Sequence, residues 1–288
     1  MIRRFWFYTH VAVFVSIMVF LIGVFSLHHD GVSKQLAISA TTPLPVIVVT
    51  PELTTTTFGV FDVSSGAMLV AGGKDTIVPI ASVAKLFAGA ALVSHGPLNA
   101  TTTIHFADLE AEGGAGKLTH GDEYSYQELL FPLLLESSND AAATLGRASK
   151  GVILEKMNTL SQSVGATDTL FTDPSGFSDD TVSTVNDLQV LVASVYRNQP
   201  HVFDITLLPQ YIGTQTGWMN NNPFVGLEGY KGGKHGYTTA AGRTAVAVFN
   251  EEIDGRTLTL GYIILGSTNL KADMQILRDS VHNSATEN

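Results

Sequence analysis

Pro79-Ile-Ala-Ser-Val-Ala-Lys-Leu-Phe-Ala-Gly-Ala-Ala-Leu92 reads as a helix that is apolar on every side except at Ser82 and Lys85. A helix apolar all round is a buried helix, and lysine is almost never fully buried unless its charge is paired or used. Ser82 stands three residues before Lys85, one helical turn away, so the amine reaches the hydroxyl. Pro79 just upstream predicts that Ser82 opens the helix, where unpaired N–H groups and the dipole favour developing negative charge. The stretch therefore predicts an alcohol beside a desolvated amine, a nucleophile with its base. By itself Ser-x-x-Lys is a common pattern, due about once in a chain of this length. A capping serine followed by a lysine that snorkels to the surface would read the same way, so the rest of the chain has to decide.

The chain has 288 residues, 45% of them hydrophobic and 15% charged, which suffices for one main domain with a full core and carries no disordered signature. A formal net charge of -10 with no Lys/Arg-rich run excludes a nucleic-acid partner. Without cysteine there is neither a disulfide frame nor a thiolate metal site. The histidines are scattered and no His-Glu-x-x-His spacing occurs, so no metal and no cofactor are expected and a zinc peptidase is unsupported. His28 and His29 lack a third ligand at useful spacing.

Residues 5–27 contain no charged side chain, a length that spans a bilayer as a helix. Arg3 and Arg4 precede this run and Asp30 is the first acid after it, which leaves residues 1–4 as a cytoplasmic tail and everything after residue 27 outside. The expectation is a single-pass anchor in the cell membrane rather than a cleaved signal peptide, since the run exceeds a usual h-region and no Ala-x-Ala site follows promptly. Residues 28–57, rich in Thr, Ser and Pro, read as a tether, and residues 58–288 as the folded domain.

Within that domain, Phe58–Val63 and Ala67–Ala71 predict a hairpin. A helical middle follows: the Ser82 helix, one from about Ser125, Ala141–Ser149, Val152–Val164 and Leu188–Arg197. The last third changes period, with strands at 232–238, 243–250 and 257–265 and a closing helix from about Leu270 to His282. The predicted fold class is α+β: one antiparallel sheet built from both ends of the chain, flanked by helices, with an inserted helical subdomain and a cleft between.

Three short motifs stand in order: Ser82-Val-Ala-Lys85, Ser137-Ser-Asn139 and Lys234-His-Gly236. In this the chain resembles the penicillin-recognising serine acyltransferases. More narrowly it is similar to the serine-type D-Ala-D-Ala carboxypeptidases, the low-molecular-mass penicillin-binding proteins. The narrower likeness rests on Pro79-Ile-Ala-Ser82, Leu133 to Ala142, Thr172-Asp-Pro-Ser-Gly-Phe177, Ser183-Thr184 before Asp187, and the Thr238, Ala241 and Gly242 that follow Lys234. Ser267-Thr-Asn269 and Lys231-Gly-Gly233 fit the second and third patterns too, but lack this context.

The resemblance implies a β-lactamase/transpeptidase-like fold that trims the terminal D-Ala from peptidoglycan stem pentapeptides and is inhibited by β-lactams. It implies Ser82 as nucleophile with Lys85 as base, Ser137 relaying a proton to the leaving amine, and Asn139 positioning Lys85 and the substrate amide. Lys234, His235, Tyr237 and Thr238 would bind substrate, with the N–H groups of Ser82 and Tyr237 as oxyanion hole. His235 departs from the family's Thr: its imidazole either donates to the substrate carboxylate, narrows the pocket, or faces away. A β-lactamase would need a Glu to activate water, and Glu155 with Asn158 has the wrong spacing. Cutting of crosslinks by an endopeptidase, or an idle peptidoglycan-binding module, are the alternatives. The C-terminal β-domain and amphipathic anchor of some relatives are not expected here, the N-terminal helix serving instead.

Overall fold

The structure, a computed structural model, describes residues 52–285. The charge-free run 5–27, the tail before it, His28, His29 and most of the tether lie outside the described residues. Among the described residues no helix is long and apolar enough to cross a membrane.

A hairpin of β1 (Thr57–Asp62) and β2 (Met68–Gly72) opens the fold. Its turn is held by Asp62, whose Oδ1 accepts from Ser64 Oγ at 2.5 Å and from the Ser65 N–H at 2.6 Å. The short β3 (Val78–Pro79), a 3₁₀ turn over Ala81–Val83 and α1 (Ala84–Val93) follow. The predicted single helix from Pro79 is thus split, because Pro79 pairs as a strand with Val182 and only the residues after the 3₁₀ turn are free to coil. A ribbon of β4 (Thr101–Thr103) and β5 (Glu123–Ser125) leads into α2 (Tyr126–Leu135). That helix starts where the sequence places it, since Ser125 Oγ accepts from the Glu128 N–H and Glu128 Oε2 accepts from the Ser125 N–H, both at 3.1 Å.

The helical middle continues with α3 (Asn139–Ala148), α4 (Val152–Ser163), the two-residue β6 (Val182–Ser183), α5 (Val185–Asn198) and α6 (Pro200–Leu207). After a small hairpin of β7 (Gln210–Ile212) and β8 (Gly217–Met219) come β9 (Tyr230–Thr238), β10 (Gly242–Ile253), β11 (Arg256–Ser267) and α7 (Leu270–Ala285). The main sheet is antiparallel in the order β2-β1-β11-β10-β9, so both ends of the domain meet at the β1–β11 pair and β9 is left as an edge.

Ala245–Phe249 and Leu260, Tyr262–Leu265 are all completely buried because both faces of the sheet are covered. Val246, Val248, Ile263 and Leu265 join the main core with Leu86, Phe87 and Leu130, whereas Phe249 and Tyr262 point the other way, where Arg278 of α7 lies over the Phe249 ring at 4.3 Å. The domain starts slightly before Phe58. Thr57 is already in β1, and Thr54, placed in the tether by sequence, donates its N–H to Asp273 Oδ1 at 2.9 Å and its hydroxyl to Asp273 Oδ2 at 2.6 Å.

Candidate active site

Ser82 sits in the 3₁₀ turn, half-buried, preceded by Ala81 at φ +49°, a left-handed conformation that costs a non-glycine residue on the order of 1 kcal/mol. Lys85 lies one turn on, fully buried, with its Nζ 2.9 Å from Ser82 Oγ, 2.6 Å from Asn139 Oδ1 and 2.8 Å from the Ser175 carbonyl. All three partners are neutral. Desolvation consequently lowers the Lys85 pKa to about 7, against the pull of the Asp173 carboxylate in the opposite direction. A free amine at that distance is positioned to take the Ser82 hydroxyl proton.

The second motif occupies the corner between α2 and α3. Ser138 caps α3, its Oγ accepting from the Ala141 N–H at 3.0 Å, while Ser137 adopts φ +63° and turns the chain. No hydrogen bond holds the Ser137 hydroxyl among the described residues, and the Lys234 amine donates to the His235 carbonyl at 2.6 Å. Asn139 bridges two elements: its Oδ1 receives Lys85 and its Nδ2 donates to the Glu112 carbonyl at 2.5 Å. One N–H of that amide is left for a substrate carbonyl. The glycine-rich loop carrying Glu112 is further pinned by the buried Trp218 indole, which donates to the Gly116 carbonyl at 2.5 Å.

The third motif lies on the edge strand β9. Gly236 is packed so closely against the nucleophile turn that a Cβ there would stand 2.5 Å from the Ser82 nitrogen, so only glycine lets the strand edge approach. Lys234 is almost wholly buried, and desolvation together with the facing Lys85 holds it well below the ordinary lysine range. His235 is lowered to about 3 by burial first and then by Lys234, Arg243 and Lys85, so it is neutral at physiological pH. Its Nδ1 is buried without a partner. Tyr237 is 61% exposed beneath the Arg243 guanidinium, which lies 5.5 Å from the ring centre.

Two adjoining pockets share Glu112, Phe177 and Ser178 as a common wall. One, of about 360 Å³, is lined by Asn139, Asp173 and Ser175; the other, of about 460 Å³, by Tyr237, Thr238 and Asp179. Asn139 of the second motif and Tyr237 and Thr238, which follow the third, thus line adjoining pockets, whereas Ser82, Ser137 and Lys234 line neither. The sequence carries no signal for Glu112, and for Ser175, whose carbonyl holds Lys85, it carries only the Asp173-Pro-Ser-Gly176 turn.

The competing matches are structural. Ser267 Oγ and Asn269 belong to the Thr54 anchor, with the Asn269 N–H 3.0 Å from Ser267 Oγ. Asn158 donates to the Phe171 carbonyl at 2.9 Å and accepts from the Phe171 N–H at 3.0 Å, fixing a loop rather than a water.

The family model described as D-alanyl-D-alanine carboxypeptidase matches residues 45–260. The chain belongs to that family. A D-alanyl-D-alanine carboxypeptidase, DacB2, of Mycobacterium tuberculosis is 33% identical over 206 residues, covering 68% of this chain and 70% of the relative. A D-alanyl-D-alanine endopeptidase of Pseudomonas aeruginosa is 32% identical over 171 residues, 57% of this chain and 55% of that protein. The crystal structure of a D-alanyl-D-alanine carboxypeptidase from Mycobacterium tuberculosis superposes with a TM-score of 0.73 at 30% identity, covering 83% of this chain and 95% of the other. The α+β architecture is that of the D-alanyl-D-alanine carboxypeptidases, and the chain is a serine peptidase of this family.

Proposed function

We propose that this D-alanyl-D-alanine carboxypeptidase removes the terminal D-Ala of peptidoglycan stem pentapeptides through an acyl-enzyme on Ser82. The observation that carries the assignment of roles is the buried Lys85 amine, poised near neutrality at 2.9 Å from the Ser82 hydroxyl. With Lys85 uncharged, the hydroxyl donates its proton to Nζ as Oγ attacks the penultimate D-Ala carbonyl. The N–H groups of Ser82 and Tyr237 stabilise the oxyanion, Ser137 passes a proton to the departing D-Ala amine, and water then attacks the ester and regenerates the serine. Lys234, His235 and Thr238 receive the terminal carboxylate. A β-lactam presents its ring carbonyl to the same serine and acylates it there.

The charge-free run 5–27 after Arg3 and Arg4 supports a single-pass anchor with the domain outside the membrane. Endopeptidase action on crosslinks is the second reading, favoured by the kinship with the Pseudomonas aeruginosa endopeptidase. Incubating the full-length chain with a stem pentapeptide and with crosslinked muropeptides decides between them. Release of free D-Ala from the pentapeptide, lost in Ser82→Ala, is the expected result. Cleavage confined to crosslinks would favour the endopeptidase, and no Ser82-dependent product from either would leave only a binding module.

A further inference from the structure

Asp173 is not a ligand of the reactive pair, yet one turn built on its carboxylate touches both members of that pair. Its Oδ1 accepts the N–H groups of Ser175 at 2.7 Å, Gly176 at 2.8 Å and Phe177 at 3.4 Å, and also the Ser175 hydroxyl. Its Oδ2 accepts the Ser178 N–H at 3.1 Å and the Thr181 hydroxyl at 3.3 Å. So many donors gathered on one side chain fix the conformation of residues 173–178. Burial raises the Asp173 pKa, but these hydrogen bonds outweigh it and hold the carboxyl below its usual range, so the group is ionised at neutral pH.

Two contacts leave this turn. The Ser175 carbonyl accepts from Lys85 Nζ at 2.8 Å, which fixes the amine on the side away from Ser82. Gly176, at φ +71°, lies so tightly under the nucleophile turn that a Cβ on it would come within 2.0 Å of the Ala81 carbonyl oxygen. Ala81 is the residue whose left-handed conformation presents Ser82.

We propose that Asp173 is a positioning residue for acylation, which aligns Lys85 through the Ser175 carbonyl and Ser82 through the Gly176–Ala81 contact. The inference rests on Ser82 and Lys85 being the acylating pair. The charged groups that act on Lys85 are Asp173 from this turn and Lys234 from β9, with neutral His235 beside Lys234. Asp173 is the only acid in that set. Removing its charge therefore makes Lys85 easier to deprotonate even while the loosened turn misplaces it.

The test is the acylation rate of the full-length chain by a fluorescent penicillin as a function of pH, in the wild type, Asp173→Asn, Asp173→Glu and Ser175→Ala, with circular dichroism as the folding control. Asp173→Asn is expected to lose about tenfold or more at its plateau, the scale of a small misplacement of reacting groups. Its half-maximal rate should also move to lower pH. Asp173→Glu should keep the wild-type midpoint with a lower plateau, and Ser175→Ala, which retains the carbonyl but removes the hydroxyl that donates to Asp173, should lose part of the plateau with its midpoint unmoved. A wild-type plateau in folded Asp173→Asn, or an unmoved midpoint beside a uniform loss, overturns the proposal. Should Asp173→Asn not fold, a wild-type plateau in Asp173→Glu overturns it instead. Failure of the wild type itself to label at Ser82 would refute the underlying assignment, a separate outcome from any of these.

Discussion

Two clusters of buried charge lie on opposite faces of the sheet, and they are built on opposite principles. Behind the sheet, Glu251 is saturated: Arg278 Nε and Nη2 donate to it at 2.7 and 3.1 Å, Tyr262 OH at 3.0 Å, and His282 Nε2 lies 3.0 Å away. Burial works against the Arg278 charge, but the Glu251 hydrogen bonds and charge outweigh it and raise the Arg278 pKa. In front, among the described residues, neither Lys85 nor Lys234 has a carboxylate in ion-pair contact, and both are lowered by desolvation. The paired cluster fastens α7 to β10 and β11. The underpaired one keeps an amine that can give up its proton at neutral pH, which is what a base beside a hydroxyl requires.

Lys85→Met breaks the contrast most sharply. It leaves an apolar chain of similar length in a buried site, and acylation by penicillin should fall by about 10²–10⁴-fold, the usual contribution of a general base, while circular dichroism shows a folded protein. Glu251→Ala is the opposite case. It strands Arg278 against the sheet and should cost about 3–5 kcal/mol in denaturant unfolding, with the acylation rate of the folded fraction within about twofold of wild type.

Gly236→Ala tests the approach of the strand edge to the nucleophile. Its methyl would meet the Ser82 nitrogen at 2.5 Å, and the acylation rate should drop on the order of 10²-fold, as when one oxyanion donor is lost. Among the substitutions at the site itself, the smallest effect belongs to His235→Thr. Because the imidazole is lowered to about 3 by burial and by its cationic neighbours, it contributes no limb to the pH profile above about pH 5. Acylation should stay within about tenfold of wild type, and a larger loss would make His235 a catalytic group.

The sequence made the strands of the sheet legible through runs of apolar and β-branched residues such as Arg243–Asn250, and the reactive pair through a lysine on an otherwise apolar helix. It did not show α6 or the β7–β8 hairpin. Pro200 and His201 mask an eight-residue helix, and β7 and β8 are three residues each, held by Tyr211 stacked on Phe131 and by Trp218 rather than by any local pattern. The split of the nucleophile helix was equally hidden, because the β3–β6 pairing that pulls Pro79 into a strand comes from residues about a hundred positions away. Asp173 was visible as a turn residue, but its link to Lys85 runs through a backbone carbonyl, which carries no side-chain signature.

The most direct measurement is the acylation rate of the full-length chain by a fluorescent penicillin from about pH 5 to 9, with the adduct located by peptide mass spectrometry. The neutral form of Lys85 is the base, so the rate should rise with pH and reach half its maximum near 7, with the label on Ser82. A label on any other residue, or a rate that does not change across that range, would contradict the account.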